Sequence, residues 1–190
     1  MDDDALLRSL ADDLDGSFET LVRAHADRCY SIALRILGDP SDAEEVAQDA
    51  FVRVYRALGT YEPSRIRDLR LRPWLATIVV NACRSRAARR RPPTVPLGDE
   101  PDLVRSPHRA GMPHEHLAGR EAAARWAGLI GDLPLRYRAA VVLRHVDGLS
   151  YEEMSEVLGR PEGTIRAQVH RGLALLRAAF EAAEREESIA

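Results

Sequence analysis

Arg166, Ala167, His170 and Arg171 recur at a spacing that puts all four on one side of a helix. Arginine can pair with the O6 and N7 atoms of guanine through two hydrogen bonds, and alanine can meet the methyl group of thymine. Ile165, Val169, Leu173 and Leu176 form an apolar stripe on the other side. Glu162, Thr164 and the backbone amides at the start of the same segment stand where phosphate contacts form. Just upstream, Ser150-Tyr-Glu-Glu153 fits a capping box that opens a short helix over 151–158. Gly159 and Pro161 supply a turn, and the small Ser155 permits a close crossing. Residues 149–177 therefore read as a helix-turn-helix, the arrangement that lays its second helix in the major groove. An ordinary antiparallel helix pair has the same periodicity; the glycine turn and the arginine face favour DNA.

Other chemistry finds no residues to carry it. The sequence holds no glycine-rich phosphate loop, no zinc-ligand spacing and no nucleophile–base set, so neither an enzyme nor a cofactor nor a small-molecule substrate is expected. His25 and Cys29 lie four apart, yet on an apolar stripe, which predicts buried structural side chains. His108, His114 and His116 fall in a proline-rich interval and are expected to be solvated. Cys29 and Cys83 are the only cysteines, and no disulfide framework is expected.

Those residues need elements to hold them, and every periodic segment of the 190-residue chain is helical. The class is all-α: two small helical domains joined by a proline-rich linker, with the helix-turn-helix in the second. The expected boundaries are 1–91, 92–119 and 120–190. Six prolines between Pro92 and Pro113 set the linker, since proline removes a backbone donor and blocks helix interiors. In the first domain, Phe18, Leu21, Val22, His25, Cys29, Ile32 and Ile36 mark one amphipathic helix, which Gly38 ends. Ser41-Asp-Ala-Glu44 suggests a capping box for a second helix reaching about Leu58. A loop over 60–72 leads to a third long helix starting near Pro73. The second domain is read as four helices: about 115–130, 134–145, 151–158, and from 161 or 164 to about 184. Asp2, Asp3, Asp4, Asp12, Asp13 and Asp15 are expected to form a solvated, partly frayed start.

The formal net charge of −3 conceals blocks of opposite sign. All 27 basic residues are arginine. Nine of them lie between Arg65 and Arg91 against a lone Asp68, whereas Asp39, Asp42, Glu44, Glu45 and Asp49 form a stretch without bases. Such segregation suggests different partners for different surfaces. No apolar run approaches the roughly 20 residues that span a bilayer, and Met1-Asp-Asp-Asp is unlike a signal peptide. A cytoplasmic protein without membrane insertion is expected.

Two stretches extend the pattern to a family. The first runs from Ile36-Leu-Gly-Asp-Pro-Ser-Asp-Ala-Glu-Glu-Val-Ala-Gln-Asp-Ala-Phe51 to Leu58, followed by Arg72-Pro-Trp-Leu-Ala-Thr-Ile-Val-Val-Asn-Ala-Cys-Arg84. The second is Leu133-Pro-Leu-Arg-Tyr-Arg-Ala-Ala-Val-Val-Leu-Arg-His-Val-Asp-Gly-Leu-Ser150, continuing through the helix-turn-helix. In that order, across a linker, they resemble bacterial RNA polymerase sigma factors of the extracytoplasmic-function (ECF) group. The resemblance implies that Asp42, Glu45, Gln48, Asp49, Phe51 and Val52 dock on core RNA polymerase. It implies that Arg70, Arg72, Trp74, Asn81, Arg84, Arg86, Arg89 and Arg90 bind the promoter −10 element and help to melt it. The helix-turn-helix would read the −35 element. Gln168 stands where an arginine is frequent in the family's recognition helix. Aromatic residues are only 5% of the chain, so melting would rest on a captured base and arginine contacts rather than a row of aromatic wedges. The resemblance further implies an anti-sigma partner. The alternative is a stand-alone helix-turn-helix repressor or activator, whose sensor domain would not need the arginine cluster of the first domain.

Overall fold

The structure is a computed structural model and describes residues 2–90 and 126–187, with the side chains of 186 and 187 excepted. The 92–119 linker and the beginning of the helix expected from about 115 lie outside the described residues. Among those described, all regular structure is helical: α1 Asp3–Asp12, α2 Leu14–Leu37, α3 Pro40–Leu58, α4 Pro63–Arg67 and α5 Leu71–Arg89 in the first module. The second contains α6 (126–131), α7 Leu135–Val141, a π-helical turn Val142–Val146, α8 Tyr151–Leu158 and α9 Glu162–Glu187.

The acidic beginning is not frayed. α1 buries Leu6, Leu7 and Leu10 to 2% exposure or less, and the aspartates at the α1–α2 junction are tied to neighbours. Asp12 takes a hydrogen bond from Arg67 at 2.7 Å, Asp15 one from the Tyr55 hydroxyl at 2.5 Å, and the Asp13 side chain caps α2 at Gly16 N. Counting charges obscured the three leucines on the inner side. Hydroxyl-to-carboxylate bonding also raises the Tyr55 pKa, with the Asp15 charge adding to it.

α2 stops at Gly38, whose φ of 74° is left-handed and whose N–H returns to Leu34 O at 2.7 Å. α3 then starts two residues earlier than the expected Ser41 capping box. Asp39 is the N-cap, accepting from Asp42 N at 2.9 Å, because Pro40 fits the first helical position, where no backbone donor is needed. Pro73 likewise sits inside the first turn of α5, which begins at Leu71, and the loop before it contains α4. α2, α3 and α5 pack against one another, with α1 and α4 closing one side.

The apolar core does not end at the first module. One continuous cluster runs from Leu6 through Cys83 to Ala139, Leu143, Met154, Ile165 and Val169. α8 lies against α5, and α7 and the π turn lie against α2. Arg138, 1% exposed, reaches across this boundary. It donates to Ile36 O at 2.6 Å, to Leu133 O at 2.8 Å and to Gly131 O. Burial brings its pKa down to about 10, still protonated at neutral pH.

The second module keeps the expected helix-turn-helix. Ser150 Oγ accepts from Glu153 N at 3.1 Å, and Glu153 Oε2 accepts from Ser150 N at 2.7 Å, completing the capping box. The latter bond lowers the Glu153 pKa. Gly159 turns the chain at φ 66°. The stripe of α9 differs at one position. Ile165, Val169 and Leu176 are buried, but Leu173 is 40% exposed and Gly172 takes the inward place. A Cβ at Gly172 would come within 2.6 Å of Val141 Cγ2, so α7 and α9 meet too closely to admit a side chain there without a shift.

Candidate nucleic-acid interface

Arg166, Ala167, His170 and Arg171 are all exposed together on α9, with Glu162 and Thr164 exposed at its beginning. Their backs are fixed by Ile165 at 0% and Val169 at 2% exposure. Gln168 is 8% exposed and turned toward the core side, away from this group. Arg166 is held in place by two neighbours. Its Nη2 donates to Glu162 Oε2 at 3.1 Å, and its guanidinium lies 4.3 Å from the centre of the Tyr151 ring. Arg144 stacks on the same ring at 4.8 Å and donates to Leu149 O at 2.8 Å. Cation–π contacts of this kind orient an arginine without consuming its donors. Tyr151 and Arg144 escaped the sequence reading because they lie on other elements. The position of Tyr151, directly after the Ser150 cap, was the available signal.

The residues expected at the −10 element divide into two groups. Arg70, Arg72, Trp74 and Asn81 lie at the start and outer side of α5. Trp74 is half-buried, 6.1 Å from Tyr61 between ring centres. Arg65 covers the other aromatic, 3.8 Å from the Tyr61 ring. Asn81 is exposed one helix face away and accepts from Arg84 at 3.5 Å. Arg70 contacts Glu156 at 2.8 Å, and Arg72 donates to Asp147 O at 3.2 Å. Toward the other end of α5, Arg86 contacts Asp42 at 2.9 Å and Glu45 at 2.7 Å, and Arg90 contacts Asp42 at 2.6 Å. The bond to Asp42 raises the Arg86 pKa. Arg89 is exposed.

These pairs modify the idea that acidic and basic blocks face separate partners. α3 and α5 are packed side by side, so part of each block neutralises the other. Asp42 is accordingly buried at 2% exposure, and Phe51 belongs to the core at 9%. The exposed members of the expected docking set are Glu45, Gln48, Asp49 and Val52. Val52 is 47% exposed and Tyr55, one turn on, is 41% exposed; neighbouring Asp49 accepts twice from Arg53, at 2.7 and 2.9 Å. The surface thus combines carboxylate and apolar groups. His25 and Cys29 are buried, as their apolar setting implied. No group of His, Cys, Asp and Glu among the described residues is arranged to hold a metal.

The geometry defines a helical protein with an exposed, arginine-bearing helix-turn-helix in one module and a mixed acidic and basic helix pair in the other. Sigma-70 region 2 matches residues 21–92, and sigma-70 region 4 matches residues 124–176. ECF RNA polymerase sigma factor SigE of Mycolicibacterium smegmatis is 35% identical over 164 residues, spanning 85% of this chain and 60% of that relative. RNA polymerase sigma-E factor of Streptomyces avermitilis is 32% identical over 177 residues, spanning 90% of this chain and 92% of the relative. The solved structure of CnrH in complex with the cytosolic domain of CnrY superposes with a TM-score of 0.68 at 26% identity, covering 95% and 97% of the two chains. This chain belongs to the sigma-70 family, within its ECF group.

Proposed function

We propose that the chain binds core RNA polymerase and directs it to promoters by reading a −35 and a −10 element. The observation that carries this reading is the exposed Arg166, Ala167, His170 and Arg171 group on a capped helix-turn-helix, joined in one chain to a sigma region 2 module. In this reading α9 enters the major groove at −35, with Arg166 and Arg171 on base edges and Glu162 and Thr164 near the backbone. Glu45, Gln48, Asp49 and Val52 meet the polymerase, with Asp42 and Phe51 holding α3 in place beneath them. Arg70, Arg72, Trp74, Asn81, Arg84, Arg86, Arg89 and Arg90 engage the −10 element and the strand that it releases. Unstacking a base costs a few kcal/mol, which contacts to the freed strand must offset. The chain acts in the cytoplasm, and any catalysis is the polymerase's own. None of the described helices is long and apolar enough to cross a membrane. An anti-sigma protein as a further partner fits the solved complex of the sigma factor RpoE with the anti-sigma factor NepR from Bartonella quintana, whose fold this chain shares.

Run-off transcription tests the proposal. Purified chain added to core polymerase should produce a transcript from one promoter and not from a template with its −35 element scrambled. A specific footprint by the chain alone, with no stimulation of core polymerase, would instead establish a stand-alone repressor or activator.

A further inference from the structure

The two modules meet through charged contacts, some of which engage residues of the proposed −10 set. Asp147 follows the π turn at the end of α7, with its side chain 2% exposed. A carboxylate at a helix C-terminus opposes the helix dipole, so its position needs another support. Arg28 of α2 supplies it. Nε and Nη2 donate to the two carboxylate oxygens of Asp147 at 2.6 Å each, the paired geometry in which guanidinium and carboxylate bind most strongly. Arg28 also donates to Arg72 O at 3.0 Å, and Arg72 to Asp147 O at 3.2 Å. Farther out, Arg70 lies 3.4, 3.5 and 2.8 Å from Glu152, Glu153 and Glu156 of α8. Arg70 and Arg72 are thus both engaged by the second module.

We propose that α8 is an internal substitute for DNA: in the free chain its glutamates occupy Arg70 while the Arg28–Asp147 pair clasps the modules, and a promoter strand must displace them. The inference rests on the −10 role of Arg70 and Arg72 proposed above. Carboxylates spaced along a helix offer an arginine the same anionic, acceptor-only partner as a row of phosphates. The two contacts differ in strength. Glu152 and Glu156 side chains are 71% and 52% exposed, so salt and competing anions exchange them readily. The Arg28–Asp147 pair is largely shielded, and removing one partner would leave a sheltered charge uncompensated. Closure is therefore held by the clasp, while access to Arg70 is regulated by the glutamates.

The test uses the full chain. Small-angle scattering of the free protein should show an increased radius of gyration in Asp147→Asn relative to wild type. Glu152→Gln/Glu156→Gln, altered only on the surface, should bind a single-stranded −10 oligonucleotide roughly threefold to tenfold more tightly, the scale of two exposed ion pairs. Glu19→Gln/Glu181→Gln makes the same change in net charge away from the contact and should give a markedly smaller gain. Equal gains in the two double variants would overturn the proposal, since general electrostatics would then explain both. Arg70→Ala in the Glu152→Gln/Glu156→Gln background tests the underlying assignment. Loss of the gained affinity supports it. Unchanged affinity there would remove Arg70 from the −10 site and overturn the proposal at its premise, a result distinct from equal gains in the two charge variants.

Discussion

Arg171 and Arg166 make separable predictions at the scale of single side chains. Arg171→Ala should weaken binding to the matched −35 sequence by about 1–3 kcal/mol, as for a lost paired base contact. A uniform loss on all sequences with a shallower salt dependence would mark a phosphate contact instead. Tyr151 never faces the base edges in this scheme, yet its ring orients Arg166 at 4.3 Å. Tyr151→Phe should preserve discrimination between −35 base variants in transcription assays, and Tyr151→Leu should reduce it. His25 predicts a pH effect. Burial lowers its pKa below 6.5, only partly countered by the Asp3 charge 3.5 Å away. The folded state therefore prefers neutral imidazole. That preference costs no stability above the unfolded value of 6.5, and stability falls as pH drops below it. Thermal midpoints measured from pH 7.5 down to about 5.5 should fall more steeply for wild type than for His25→Gln.

Gly172 decides how closely α7 and α9 approach, so its effects belong to the elements. Gly172→Ala adds helix propensity but forces a methyl group against Val141, and overpacking of this kind costs about 1–3 kcal/mol. Denaturant unfolding should show reduced stability despite the better helix former. The same position explains the boundary of what the sequence revealed. Periodicity fixed α2, α3, α5 and the helix-turn-helix, and the Ser150 capping box appears as read. It misassigned Leu173 because a stripe assumes equal side chains along a face, whereas a glycine lets the partner helix come inward. It missed α1 because six aspartates outweighed three leucines in composition, although only the leucines face the core. The exposed α9 group was legible because side chains opposite an apolar helical stripe must face outward. The pairing of Asp42 with Arg86 and Arg90 was not, because it joins residues 44 or more apart on two helices that lie side by side.

Across the whole molecule, Arg138 and the shared core couple the two modules. Arg138→Met leaves the carbonyls of Ile36, Gly131 and Leu133 without this donor, and orphaned buried acceptors cost about 1–3 kcal/mol. Calorimetry should record one cooperative transition for wild type and a broadened or divided one for the variant. The buried thiols report on the same integrity. Burial raises Cys29 to about 11 and Cys83 to about 12, so neither should react with a chromogenic disulfide reagent until the fold opens.

Arg138 also sets an order in time. Its acceptor at Ile36 lies 102 residues earlier in the chain, and ribosomes add about 5–20 residues per second. The newborn first half accordingly waits roughly 5–20 s for its lock. During that interval the nascent sigma factor presents the faces of α2 and α5 that the later half will cover.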